Sequence, residues 1–143
     1  MRVKQLSVFV ENKTGAICEI ARLLGANGVN MKAFSMAENS EFGILRLIVS
    51  DVEAAVRVLR KARFGVSVTY VVCLQCPNTP GALSGILGQL AAENIFIEYM
   101  YAFSQGDSAN IIIRPTDIDR CADVLSQGGR MQEYGEAAAI FKY

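Results

Sequence analysis

The feature that most constrains this chain is that it repeats itself. Displaced by 66 residues, Asn12, Gly15, Ala16, Ile20, Leu24 and Ala26 fall on Asn78, Gly81, Ala82, Ile86, Leu90 and Ala92. Asp51, Val58 and Leu59 fall on Asp117, Val124 and Leu125. Self-similarity at one fixed period points to a single supersecondary unit used twice. The apolar pattern repeats more fully than the identities do. Ile17, Ile20, Ala21 and Leu24, and then Leu83, Ile86, Leu87 and Leu90, keep the i, i+3, i+4, i+7 spacing of a helix with one buried face. A second helix follows in each copy, through Val52, Ala55, Val56 and Leu59 and through Ile118, Cys121, Ala122 and Leu125. Each opens on a capping-box pattern, Ser50-x-x-Glu53 and Thr116-x-x-Asp119, in which hydroxyl and acid satisfy backbone donors at the helix start.

Strand patterns fill the spaces between helices. Leu6, Val8 and Val10 alternate with more polar neighbours. Val29–Ala37 and Ile44–Val49 flank a turn at Asn39-Ser40-Glu41, and Ile95–Phe103 and Ala109–Arg114 flank one at Gln105-Gly106-Asp107. The order strand, helix, hairpin, helix, strand predicts an α+β chain of two tandem ferredoxin-like βαββαβ units, residues 1–70 and 71–143. Each unit should form a four-stranded antiparallel sheet with two helices on one face. Val66, Val68, Tyr70, Val72, Leu74 and Cys76 alternate without a Gly or Pro. Eleven extended residues span roughly 36 Å against about 20 Å for a common strand. The last strand of one copy should therefore run straight into the first strand of the next, joining the units rigidly.

Composition removes several function classes. The 143 residues carry zero formal net charge and no clustered Lys or Arg, so a nucleic-acid footprint is missing. No apolar run approaches the roughly 20 residues a membrane helix needs, and the opening Met1-Arg2-Val3 leads into a strand pattern without a signal-peptide core. The expected address is the cytoplasm. There is no His, which removes Ser-His, Cys-His and His-metal chemistry. Cys73-Leu74-Gln75-Cys76 has redox or zinc spacing, but in a strand residues three apart point to opposite faces. Cys18 and Cys121 fall on apolar helix positions, so all four cysteines are expected to be packing residues, with no metal and no cofactor. A hydrophobic fraction of 52% and the run Ile111-Ile112-Ile113 suggest a sheet covered on both faces, and hence a homodimer.

The sequence resembles the ACT domain, a small-ligand-sensing module. Copy one reads Val10-Glu11-Asn12-Lys13-Thr14-Gly15-Ala16-Ile17 and then Asn27-Gly28-Val29-Asn30-Met31. Copy two reads Cys76-Pro77-Asn78-Thr79-Pro80-Gly81-Ala82-Leu83 and then Glu93-Asn94-Ile95-Phe96. The resemblance covers nearly the whole chain and implies an amino-acid-binding regulatory protein, not an enzyme. It implies a site at an interface between ACT units, lined by the loop after the first strand and the start of the second strand. The residues so implied are Asn12, Lys13, Thr14, Gly15, Ala16, Ile17 and Asn30, with Asn78, Thr79, Pro80, Gly81, Ala82 and Leu83 in the second copy. A helix N-terminus offers donors and a positive dipole end for a carboxylate, and Asn can both donate and accept. Copy two departs from the pattern, since Phe96 stands where copy one has Asn30.

Plainer roles are open for the same residues. An Asn before a helix often caps or turns, and Thr79-Pro80 suits a helix start with Pro in its first turn. Met31, Phe34 and Met36 hint at an apolar ligand. Two other functions stay in view: a regulatory subunit acting on a separate amino-acid-metabolism enzyme, and a small ferredoxin-like enzyme. Glu98, Tyr99 and Tyr101 lie near the second loop, but no nucleophile–base pair or phosphate loop accompanies them.

Overall fold

The computed structural model describes residues 2–39 and 41–127, and the chain in it is α+β. The elements are β1 (Arg2–Glu11), α1 (Ala16–Ala26), β2 (Met31–Glu38), β3 (Phe42–Val49) and α2 (Val52–Lys61), then β4 (Gly65–Pro77), α3 (Ala82–Ala92), β5 (Ile97–Gln105), β6 (Ser108–Pro115) and α4 (Ile118–Gln127). The repeat is structural as well as sequential. Helix α3 begins and ends 66 residues after α1, α4 after α2, and β6 after β3. A strand completing the second βαββαβ order would lie beyond Gln127, outside the described residues. The chain divides into two compact units, one of residues 4–69 and one of residues from 70 onward together with the first residues of β1. The boundary at Thr69 and Tyr70 falls inside β4, which is unbroken as the alternation from Val66 to Cys76 requires.

In the first unit the strands run in the order β2-β3-β1-β4, with β2 at the edge. β1 is antiparallel to β3, with Leu6 opposite Leu47 and Val8 opposite Leu45. β2 is antiparallel to β3, and a register shift lies between Met31 and Ala33. Leu6, Val8, Val10, Leu45, Leu47 and Val49 pack with Ile20 and Leu24 of α1 and with Ala55 and Leu59 of α2. Every second strand residue thus meets one stripe of each helix. Truncating a buried leucine of this kind to Ala costs about 2–5 kcal/mol.

The second unit repeats the scheme. β4 is antiparallel to β6, β6 to β5, and β5 lies at the edge. Its register shift, between Ile97 and Tyr99, again lies 66 residues after its counterpart. Val72, Leu74, Ile111 and Ile113 pack with Ile86, Leu90, Cys121 and Leu125.

Local details correct four expectations. The second-helix caps sit one residue later than the capping box places them: Asp51 accepts from Ala54 N at 3.0 Å and Asp117 from Arg120 N at 3.0 Å. Ser50 and Thr116 instead fasten the second strand of each hairpin. Ser50 Oγ accepts from Asn30 N, and Thr116 Oγ1 donates to Phe96 O. Pro80 does not open α3, because Gly81 is the N-cap and Ala82 the first helical residue. Cys18 is exposed, unlike the buried Cys73, Cys76 and Cys121. The buried stripe of α1 is Ala16, Ile20 and Leu24, so Cys18 lies off it. Finally, Ile111, Ile112 and Ile113 are all buried within a single chain, so that run needs no second copy to cover it.

Candidate functional site

The end of β1 delivers Val10 and Glu11 to a short turn that closes on α1. Gly15 is the N-cap, with φ 90° and ψ −10°, a left-handed conformation that side chains other than Gly adopt at a cost. No side chain caps the helix, so donors in its first turn face outward beside Lys13 and Thr14. Lys13 N donates to Glu11 O at 2.8 Å, and Lys13 Nζ pairs with Glu11 Oε2 at 3.4 Å in solvent. Asn12 Nδ2 donates to Asn39 O at 3.0 Å, tying this turn to the β2–β3 hairpin. Asn39 Oδ1 accepts from Glu41 N and Phe42 N, which holds the hairpin turn in shape.

These contacts leave an open cleft of about 370 Å³ lined by Val10, Glu11, Asn12, Lys13, Thr14, Ile17, Met36 and Glu38. That volume lies in the range of small-ligand pockets, about 300–1,000 Å³. Polar groups converge at the turn, while Ile17 and Met36, both 42% exposed, give it an apolar wall. Gly43 shapes that wall. A Cβ placed there would collide with Met36, so only Gly lets the methionine lie across β3.

Of the residues expected in copy one, Asn12, Lys13, Thr14 and Ile17 come together in the cleft, with Gly15 at the helix start. Ala16 is buried in the core instead. Asn30 is elsewhere. It precedes β2, where it exchanges hydrogen bonds with Ser50, whereas the cleft lies at the Met36–Glu38 end. Eight residues of strand, about 26 Å, separate the two ends. Glu38 and Val10 are not foreseen by the motif. Both face Gly43, so their proximity is legible once the hairpin register is assigned.

Copy two reproduces the turn with other chemistry. Gly81 has φ 85°, and again no side chain caps the helix. Asn78 N donates to Asp107 O at 2.8 Å, and Asn78 Nδ2 reaches Ser104 Oγ at 3.5 Å. Thr79 O accepts from Ala82 N, and Leu83 is 37% exposed. Glu98 forms an ion pair with Arg114 Nε at 3.5 Å, as a charge at a sheet edge would. Among the described residues no three His, Cys, Asp or Glu side chains group as a metal site would need, and no helix is long and apolar enough to cross a membrane.

A duplicated βαββα unit with an open turn between its first strand and a glycine-capped helix defines the ACT class of small regulatory modules. The chain belongs to the ACT domain pair family, whose model matches residues 1–132. It is 47% identical to protein BT0572 from Bacteroides thetaiotaomicron, with 90% of each chain covered and a TM-score of 0.87. It shares its fold with the regulatory subunit of aspartate kinase from Thermus thermophilus in a ligand-free form, at 12% identity, 87% and 90% coverage and a TM-score of 0.63. The corresponding subunit from Thermus flavus is 13% identical, with 87% and 90% coverage and a TM-score of 0.60. No curated protein matches the chain.

Proposed function

We propose that this protein is a non-catalytic sensor that binds an amino acid in the cleft at the β1–α1 turn and transmits its occupancy to a separate enzyme of amino-acid metabolism. The observation that carries this reading is the cleft itself, where an uncapped helix start, Asn12 and an apolar wall meet. A carboxylate docks on the α1 N-terminus, where backbone donors and the helix dipole favour negative charge. The ammonium group lies towards Asn12 Oδ1 and the acids Glu11 and Glu38, and the side chain lies against Ile17 and Met36. The fold shared with aspartate kinase regulatory subunits supports the regulatory part of the reading.

The resemblance also assigns Asn30 to the site, although one chain holds Asn12 and Asn30 at opposite ends of β2. A two-fold axis near the middle of this edge strand resolves the conflict. Two antiparallel β2 strands set the start of one against the end of the other, so the partner's Asn30 meets Asn12. The exposed Phe34 and Met36 are covered in the same step. The protein is accordingly a homodimer with shared sites.

A thermal-shift screen of the twenty amino acids identifies the ligand, because binding to the native state raises its stability. By calorimetry, Asn12→Ala should then weaken binding roughly 5- to 150-fold, the effect of leaving about 1–3 kcal/mol of polar interaction unmade. Asn30→Ala should do the same. Mixing the two variants should restore tight binding at one of the two sites of each mixed dimer. A screen without any hit defeats the sensor reading, and absence of rescue defeats the shared site.

A further inference from the structure

The two copies differ at both ends of their edge strands, and the differences match each other. In the cleft of copy one, Glu11, Lys13 and Glu38 are charged and Met36 is large. The equivalent residues 66 positions on are Pro77, Thr79, Ser104 and Ala102. All three charges are gone, and a methionine has become an exposed alanine. At the other end of the strand, the polar Asn30 has become Phe96. Phe96 is 68% exposed, above Phe34 at 64% and Tyr70 at 50%. Its backbone is fixed all the same, since Phe96 O accepts from Thr116 N at 3.0 Å. A phenyl ring held out in water loses the stabilisation that burial of its apolar surface would return.

We infer that the second turn, from Asn78 to Leu83, is a receptor for the partner's Phe96 and is not a second amino-acid site. Strand β5 is an edge strand, and Asn78 is bonded at its far end, to Ser104 and Asp107. Two β5 strands paired antiparallel about their middle set each Phe96 against the other copy's Asn78 turn. There the neutral lining, the space beside Ala102 and the apolar Leu83 suit an uncharged ring. A zwitterion would find no formal charge at these positions. Each change alone could be drift. Together they make the two ends of one strand complementary, as self-pairing across a two-fold axis requires. The inference borrows the edge-strand geometry of the proposed sensor but involves no ligand, so it can fail or hold independently.

Cross-linking tests it in the full-length chain. Cys18, the exposed cysteine, is first replaced in Cys18→Ser. Thr79→Cys and Phe96→Cys are then made singly and together in that background, and each is treated with a short bismaleimide. In one chain the two positions lie at opposite ends of β5, so a 79–96 bridge joins two copies. The double variant should run mainly as covalent dimer on a denaturing gel, and each single variant mainly as monomer. Equal dimer yield in all three would overturn the inference. So would protection of the position-79 thiol by free phenylalanine with no bridged dimer, which would make the turn a ligand site. Amino-acid binding at the first turn, read in parallel by thermal shift on the Cys18→Ser parent, reports separately on the sensor.

Discussion

Cys73 sits on β4 with 1% of its surface exposed, and burial pushes its thiol up from 9.0 to about 12. Cys121, packed in the core beside Leu125, rises to about 11 for the same first reason. A thiolate is disfavoured in such sites because charge is poorly solvated there. Reactivity follows the thiolate, so Cys73-x-x-Cys76 is inert in the folded protein. Iodoacetamide at neutral pH should label Cys18 alone, and all four cysteines only after denaturation. Stability should follow the same groups. A folded pKa above the unfolded one gives stabilisation that is complete below about pH 9 and drains away as pH rises towards 11–12. Cys73→Val should flatten that alkaline loss in urea titrations between about pH 8 and 10.5. A variant falling as steeply as the parent would mean that burial of this thiol does not drive the loss.

At the scale of elements, the helices separate what pattern dictates from what context decides. Gly81 and Gly88 belong to the same turn-and-helix but have opposite roles. Gly81 is left-handed at φ 85°, while Gly88 lies within α3, where a Cβ would have no atom within 4 Å. Gly88→Ala should therefore stabilise by about 0.5–1 kcal/mol, the helix-propensity difference. Gly81→Ala should destabilise by about 1–2 kcal/mol, the cost of a left-handed alanine. Chemical denaturation of both checks the signs, and a stabilising Gly81→Ala would contradict the turn geometry. The strand and helix order is legible because alternation and helical spacing recur at one period, from Leu6 and Ile20 to Leu74 and Ile86. The cap of α2 is ambiguous in sequence because Ser50 and Asp51 can both serve, and only the position of Asn30 takes the serine away. Ile17 reads as core because helical spacing fixes a stripe to within about a residue. It stands at the stripe's border, where the Met36 side of the sheet leaves it half exposed. Asn12 and its turn are legible from motif. Glu38 is not, since its neighbourhood depends on the register of a hairpin.

At the scale of the whole molecule, the question is what joins the repeats. Chains with two modules are commonly linked by exposed, polar, glycine-rich segments, and proteases cut there. Here the passage from one unit to the next is thirteen residues of strand, Gly65–Pro77. Chymotrypsin has suitable residues in it, above all Tyr70, whose side chain is 50% exposed. Cleavage, however, needs the backbone to leave its partners. Tyr70 O accepts from Arg114 Nη1 at 2.7 Å, and from Val72 onward the strand is in register with β6. Gln5 Nε2 reaches Thr69 Oγ1 at 3.5 Å on the other side of the boundary. Cutting after Tyr70 thus requires local unfolding, whose free energy rises with the number of strand bonds that must open. Brief digestion with dilute chymotrypsin, followed by intact-mass analysis, should leave the 65–77 segment whole for as long as the protein remains folded. Rapid cleavage after Tyr70, releasing two fragments that each keep their circular-dichroism spectrum, would show that the junction is a linker that merely takes strand form.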